Sequence, residues 1–320
     1  MEYKTIYEGE RPISRLIYGT GNNQIMGDDV GAAKDCLQRA LESGFTTFDT
    51  AYSYGNAEIN VGQWLMTIKS REEITIIDKG CNPGQKGSTE CMSADLIERQ
   101  NKESLNRLQT DYVEYYVLHR DDPNYPVGPI IEVLNKLKEE KKILHFGVSN
   151  WSLDRIRQAN FYAKDHGLEG FETLSPAYSL ATFVSDPWGG SVTISGENNK
   201  ELREVYLKSG LPIFAYSSLA RGYLSGKFFT GGKKPIEKCL WWAPIQEYDC
   251  QENRDRLQRL ETMAQDKDLS VPRLALAWLL NQSPNIYPIV SPSSLSHMEE
   301  NIKALDIHLS QEEMDYLLKG

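Results

Sequence analysis

Asp49, Tyr54, Lys79 and His119 are the residues of this chain whose types and placement could do chemistry. Each stands at or just past a run of β-forming residues. Thr46-Thr47-Phe48-Asp49-Thr50 leads into Ala51-Tyr52-Ser53-Tyr54-Gly55. Ile74-Thr75-Ile76-Ile77 ends in Asp78-Lys79-Gly80, and Val113-Glu114-Tyr115-Tyr116-Val117-Leu118 ends in His119. A phenol, an ammonium, a carboxylate and an imidazole held together can move a proton onto or off a carbonyl oxygen. Singly, each has a plainer use. An Asp at a strand end often caps the next helix. A lone Lys is usually solvated, and a buried His is more often hydrogen-bonded structure than a catalyst. Four such residues at the ends of consecutive strand-like runs favour the chemical reading.

Positioning them together requires a particular set of elements. Strand-like runs at 15–19, 46–50, 74–77, 113–118, 144–148, 171–174, 212–216 and 286–290 alternate with helical stretches. The helix over 30–42 shows one apolar stripe, Val30, Ala33, Leu37, Ala40 and Leu41, with Gly44 as its stop. Ser93 is placed to cap a long helix over 93–107. Further helices are predicted at 57–67, 130–141, 153–163, 199–208, 254–265 and 271–280, the last apolar nearly all round and so expected to be buried. Eight strand–helix repeats imply a parallel sheet with right-handed crossovers that closes into a barrel. The expected fold is α/β, one (β/α)8 TIM barrel domain over 1–320. An N-terminal hairpin (3–7 with 13–17) plugs its bottom, and extra helices at 295–304 and 311–318 close the chain. In such a barrel the C-terminal strand ends share one face, where loops assemble a site. The stretches 175–199 and 217–252 are read as long loops.

The 320 residues carry 35 basic and 45 acidic side chains, a net charge of −10. That balance disfavours a general nucleic-acid binder, which presents a basic face. Cys36, Cys81, Cys91, Cys239 and Cys250 form no C-x-x-C pair, so a reducing compartment and no zinc site are expected. The N-terminal residues lack the apolar core of a signal peptide, and no apolar run is long enough to span a bilayer. A cytoplasmic location without a membrane partner follows as the expectation. No G-x-G-x-x-G follows the first strand, which disfavours a Rossmann domain. No paired-carboxylate or metal-ligand cluster suggests a barrel hydrolase.

Asp49-Thr50-Ala51-x-x-Tyr54-Gly55, Lys79 and Leu118-His119 resemble the aldo-keto reductase superfamily, and further motifs follow in the family's order. These are Gly147-Val148-Ser149-Asn150-Trp151, Tyr178-Ser179-Leu180, Ala215-Tyr216-Ser217-Ser218-Leu219-Ala220, Leu224-Ser225-Gly226-Lys227 and Glu299-Glu300-Asn301. The resemblance covers essentially the whole chain. It implies that Tyr54 is the general acid or base at the carbonyl oxygen and that Lys79 favours its phenolate. Asp49 would then hold Lys79, and His119 would orient the substrate oxygen. It also implies an extended NADP or NAD across the barrel mouth. Gly19 and Thr20 would lie near the reactive ring, Ser149, Asn150 and Ser175 at the carboxamide, and Tyr216 on the nicotinamide face. Ser217, Leu219, Ala220, Gly222 and Lys227 would wrap the pyrophosphate, and Ser291, Ser293, His297, Glu300 and Asn301 would line the adenosine site.

Two positions depart from the family pattern. Ser175 stands where a longer Gln is usual, and Ser291 and His297 stand in the region of a basic pair that binds the 2′-phosphate. Charge-assisted phosphate binding is correspondingly weaker, so use of both NADP and NAD is expected. Trp151, Trp188, Trp241 and Trp242 are candidates for a substrate wall. The expected activity is hydride transfer between nicotinamide and an aldehyde, ketone or sugar carbonyl. The rivals are a sugar dehydrogenase working mainly in oxidation and a cofactor-binding regulatory subunit with incidental turnover.

Overall fold

A computed structural model of the chain describes residues 1–83 and 91–320. Ten strands follow one another among the described residues: β1 (Tyr3–Lys4), β2 (Ile13–Ser14), β3 (Ile17–Gly19), β4 (Thr47–Asp49), β5 (Thr75–Gly80), β6 (Val113–Leu118), β7 (Ile143–Ser149), β8 (Thr173–Ser175), β9 (Ile213–Ala215) and β10 (Ile286–Val290). β3 to β10 close into a barrel in the order β10-β3-β4-β5-β6-β7-β8-β9, every neighbour parallel. The expected eight-stranded barrel is therefore present, with its N-terminal hairpin and C-terminal helices. The hairpin pairs only two residues a side, Tyr3 with Ser14 and Lys4 with Ile13.

Strand alternation builds two apolar layers. Ile17, Ile77, Tyr115, Val117, Phe214 and Tyr287 fill the barrel interior, and Ile6, Tyr7 and Ile13 pack against them. Tyr18, Phe48, Ile76, Tyr116, Leu118 and Phe146 belong to the outer layer under the helices. The hairpin plug is also held by polar contacts. The Tyr7 ring stacks on His145 at 4.1 Å, and its hydroxyl donates to the Glu172 carbonyl at 2.8 Å.

Helix starts follow local sequence. Ser93 Oγ accepts from Leu96 N at 3.0 Å to open Ala94–Leu108, and Asp29 caps Val30–Glu42. Ser310 and Glu313 form a capping box on Gln311–Lys319. Val271–Leu280 is buried along most of its length, as its all-round apolar composition predicts. The stretch 217–252 is less irregular than expected, because Trp242–Tyr248 forms a seven-residue helix within it. No helix among the described residues is long and apolar enough to cross a membrane.

Candidate active site

Register sets where the polar side chains sit. Gly19 pairs with Asp49, Asp49 with Ile77, and Lys79 with Val117. Lys79 lies inside β5 rather than past it, so alternation turns Ile77 and Lys79 inward while Asp78 faces the helices near Glu58 and Ser104. The Lys79 ammonium donates to Asp49 Oδ2, with both side chains almost wholly buried. Lys79 Nζ lies 5.5 Å from the Tyr54 ring centroid. The His119 ring meets Tyr54 edge-on, 5.8 Å between centroids and 80° between planes.

The charges in this cluster have clear directions. Burial opposes charge on Lys79 most strongly, but Asp49 and Tyr54 outweigh it and hold the ammonium above its ordinary pKa. Burial pushes the Asp49 carboxyl up, and Lys79 opposes that rise. Burial also raises the Tyr54 phenol; Lys79, Arg221 and Arg120 pull it down without reversing the shift. His119 is driven well below its usual value by burial, then by Lys79 and Arg120. At neutral pH the cluster therefore holds a protonated phenol, an ammonium and a neutral imidazole.

All four residues line one cavity of about 1030 Å³. Gly19 and Ser291 form one wall, where Ser291 Oγ donates to the Gly19 carbonyl at 2.6 Å. A β-carbon on Gly19 would come 2.7 Å from Ser291 Oγ, so only glycine leaves this wall open. Ser149, Asn150 and Tyr216 line the centre. Asn150 holds a left-handed φ of 61°, a conformation Asn tolerates better than most residues. Its amide is fully engaged. Nδ2 donates to the His119 carbonyl and to Ser149 Oγ, both at 3.0 Å, while Oδ1 accepts from Tyr216 Oη at 2.7 Å and Val192 N at 3.0 Å. A carboxamide binding to Asn150 must displace one of these partners.

Beyond Tyr216 the cavity runs past Ser217, Leu219, Gly222 and Lys227. Ser217, Ala220 and Arg221 all take positive φ, as does Gly222 at 98°. This tight path leaves the amides of Ser217, Ser218 and Leu219 without a protein acceptor among the described residues, a concavity suited to phosphate oxygens. Ser293, His297, Glu300 and Asn301 close the far end. There His297 sits in the first turn of Leu295–Lys303, and Glu300 is tied to Arg273 and to Ser270. A cavity lined from Gly19 through Tyr216 and the amide-lined bend to Asn301 fits an extended dinucleotide.

Several expected residues lie off the cavity. Thr20 is buried behind the wall, its amide donating to the Asp49 carbonyl at 2.9 Å. Ser175 turns its hydroxyl to the Phe214 carbonyl at 2.9 Å and is too short to reach the opening. Ala220 is fully buried. Trp151 is a core residue against Phe171 with Arg155 over its ring, so it forms no substrate wall. Trp188 and Trp241 do line the cavity, whereas Trp242 is mostly exposed and packs on both from outside. Arg120 and Arg221 also line it. The first directly follows His119 and the second directly follows Ala220, so both stood beside recognisable motifs. Arg221 Nε donates to Glu247 at 2.5 Å, and its guanidinium lies 4.2 Å from the Trp188 ring centroid. No group of His, Cys, Asp and Glu among the described residues could hold a metal ion.

A parallel barrel with a Tyr–Lys–Asp–His cluster at its C-terminal mouth, lining one cavity, defines the class: a barrel protein whose mouth holds groups able to exchange a proton with a carbonyl oxygen. The family is equally plain, because the model of the aldo/keto reductase family matches residues 15–319, and this chain belongs to it. It is 28% identical to a probable aldo-keto reductase 1 of Glycine max, over 87% of this chain and 76% of that one. It is also 28% identical to a probable voltage-gated potassium channel subunit beta of Oryza sativa subsp. japonica, over 96% and 92% of the two chains. Norsolorinic acid reductase A of Aspergillus parasiticus is 25% identical over 94% of this chain and 75% of its own. In fold, the chain is similar to a thermostable aldo-keto reductase solved with the inhibitor epalrestat, with a TM-score of 0.73, 24% identity and 99% coverage of each chain.

Proposed function

We propose that this protein reduces aldehyde, ketone or sugar carbonyls at the expense of NADPH or NADH, with Tyr54 as the proton donor. The observation that carries the reading is the buried Asp49–Lys79 ion pair beneath Tyr54, with His119 against the same ring. When bound, the nicotinamide supplies the hydride. Everything else is asked of this chain's own side chains.

As charge builds on the substrate oxygen, Tyr54 Oη gives up its proton to it. The phenolate left behind is stabilised by the Lys79 ammonium, which Asp49 holds in place. The raised pKa of Tyr54 keeps that proton present at neutral pH, which suits reduction. Neutral His119 adds a hydrogen bond to the substrate oxygen without a competing charge. Gly19, Tyr216, Asn150 and Ser149 would hold the nicotinamide end, the Ser217–Leu219 amides and Lys227 the pyrophosphate, and Ser293, His297 and Asn301 the adenosine. With Ser291 and His297 in the region of the family's usual basic pair, the site takes both NADP and NAD. The reading includes a single barrel domain and a cytosolic location.

A regulatory subunit is the second reading, favoured by the similarity to probable channel subunits over almost the whole chain. Turnover of NADPH and NADH with a panel of aldehydes, ketones and aldoses separates the two. An enzyme consumes cofactor in step with carbonyl. A subunit of that kind binds cofactor and leaves the panel untouched.

A further inference from the structure

Arg120 is nine-tenths buried, lines the cavity beside His119 and has no carboxylate partner among the described residues. A buried guanidinium left without a counter-charge is costly, and folded proteins normally pair it. Among the described residues, the carboxylates that follow β6, that hold the Gly189 turn and that meet Arg221 are committed elsewhere. Asp121 takes Arg155 in a two-pronged pair at 2.9 and 3.1 Å. Asp122 accepts from Asn124 N at 3.0 Å. Asp186 accepts from the amides of Trp188 and Ser191, and Glu247 takes Arg221. Among the described residues Arg120 donates only to the carbonyl oxygen of Gly189, and its Nε has no partner. The turn that supplies this carbonyl is shaped around the guanidinium. Gly189 and Gly190 both take left-handed φ, and a β-carbon at Gly190 would come 2.8 Å from Arg120 Nη1.

Position assigns the missing anion to the substrate. Arg120 follows β6, while the amide-lined bend and Lys227 follow β9, three strands further round the barrel. The cofactor's phosphates belong on the β9 side, so the charge on the β6 side faces the space left for the carbonyl compound. Trp188 and Trp241 line the same cavity.

We infer that Arg120 reads an anionic group on the substrate, so that the preferred carbonyl compounds carry a carboxylate or a phosphate ester. The inference rests on the carbonyl-reductase reading for what is turned over, but its binding arm does not. The first arm measures kcat and KM for matched pairs: 4-carboxybenzaldehyde against its neutral methyl ester, and glyceraldehyde 3-phosphate against glyceraldehyde. The wild type should favour the anionic member of at least one pair by about tenfold or more in kcat/KM, chiefly through KM. Which pair shows the effect tells carboxylate from phosphate. Arg120→Met should bring that ratio to within about threefold of one, and Arg120→Lys, which keeps a charge but not the fork, should retain part of it.

A ratio that survives in Arg120→Met overturns the inference and leaves Arg120 as an anchor for the Gly189 turn. The second arm measures the binding of benzoate and of benzamide to cofactor-loaded protein by tryptophan fluorescence. Benzoate should bind tighter than benzamide in the wild type and not in Arg120→Met. If no aldehyde is reduced yet benzoate shows this pattern, the reductase reading fails and the anion site stands. If neutral aldehydes are reduced and neither arm shows a charge preference, the reductase reading stands and the anion site is gone.

Discussion

Lys79 Nζ lies 5.5 Å from the centroid of the Tyr54 ring while its ammonium is bonded to Asp49. The phenol thus shares the cavity wall with a cation whose charge is fixed by a third residue.

Lys79 and Asp49 should behave as one unit. Either Lys79→Met or Asp49→Asn leaves the other charge buried and unpaired, at a cost of about 3–5 kcal/mol in stability, and both should slow hydride transfer. The double variant should lose less than the two single losses summed, in activity and in stability alike. A double-mutant cycle measures this, and strict additivity would show the two residues acting independently.

How much of this was legible in the sequence depends on the range of the signal. Asp49, Tyr54, Lys79 and His119 each stand at or just past a local run of β-formers, and the barrel follows from eight such runs. Trp151 was misread because it neighbours Asn150 in sequence, yet it packs in the core against Phe171, not on the cavity wall. Ser175 was carried to the carboxamide by motif alone, and its length turns it to the Phe214 carbonyl instead. Trp242–Tyr248 escaped notice because it is short, lacks a side-chain cap and contains Pro244. Arg120 stands beside the His119 motif, but nothing in the sequence marks it as lacking a counter-charge. Its isolation depends on where Asp121, Asp122, Asp186 and Glu247 point, and those contacts exist only in the folded chain.

His119 should stay neutral through the physiological range. Burial, Lys79 and Arg120 all push its pKa down from the ordinary value of about 6.5. The pH profile of kcat/KM should therefore show no acidic limb near that value. A limb there that vanishes in His119→Gln would mean that the imidazole titrates during turnover.

At the opposite end of the barrel, His145 should make stability depend on pH. Burial opposes its charge, but Glu172 and Glu10, each 2.7 Å from a ring nitrogen, raise its pKa. The folded state then binds a proton more tightly than the unfolded chain. The stabilisation is complete below the unfolded value of about 6.5 and is lost as pH rises through the folded one. The melting-temperature gap between wild type and His145→Gln should be widest near pH ~6 and narrow towards pH ~9. A gap that does not change with pH would remove the imidazolium from the hairpin's attachment.

Cofactor choice should respond to His297. The wild type should bind NADP and NAD with a smaller difference than a basic adenosine site gives. His297→Arg should shift the preference towards NADP by roughly 1–3 kcal/mol if a charge-assisted bond to the 2′-phosphate forms. Dissociation constants for both cofactors in both proteins decide it. A wild type that already binds NADP many thousandfold tighter would place the phosphate elsewhere.

The most direct test of the central claim is a single-turnover measurement of reduced-cofactor consumption by wild type and Tyr54→Phe, mixed with an accepted aldehyde. The substitution removes one hydroxyl and leaves the ring that packs beside His119 and Lys79. The account predicts unchanged cofactor affinity and a chemical step slowed by about 10²-fold or more. An equal rate of hydride transfer in the two proteins, with chemistry shown to be rate-limiting, would contradict it and take the proton donor away from Tyr54.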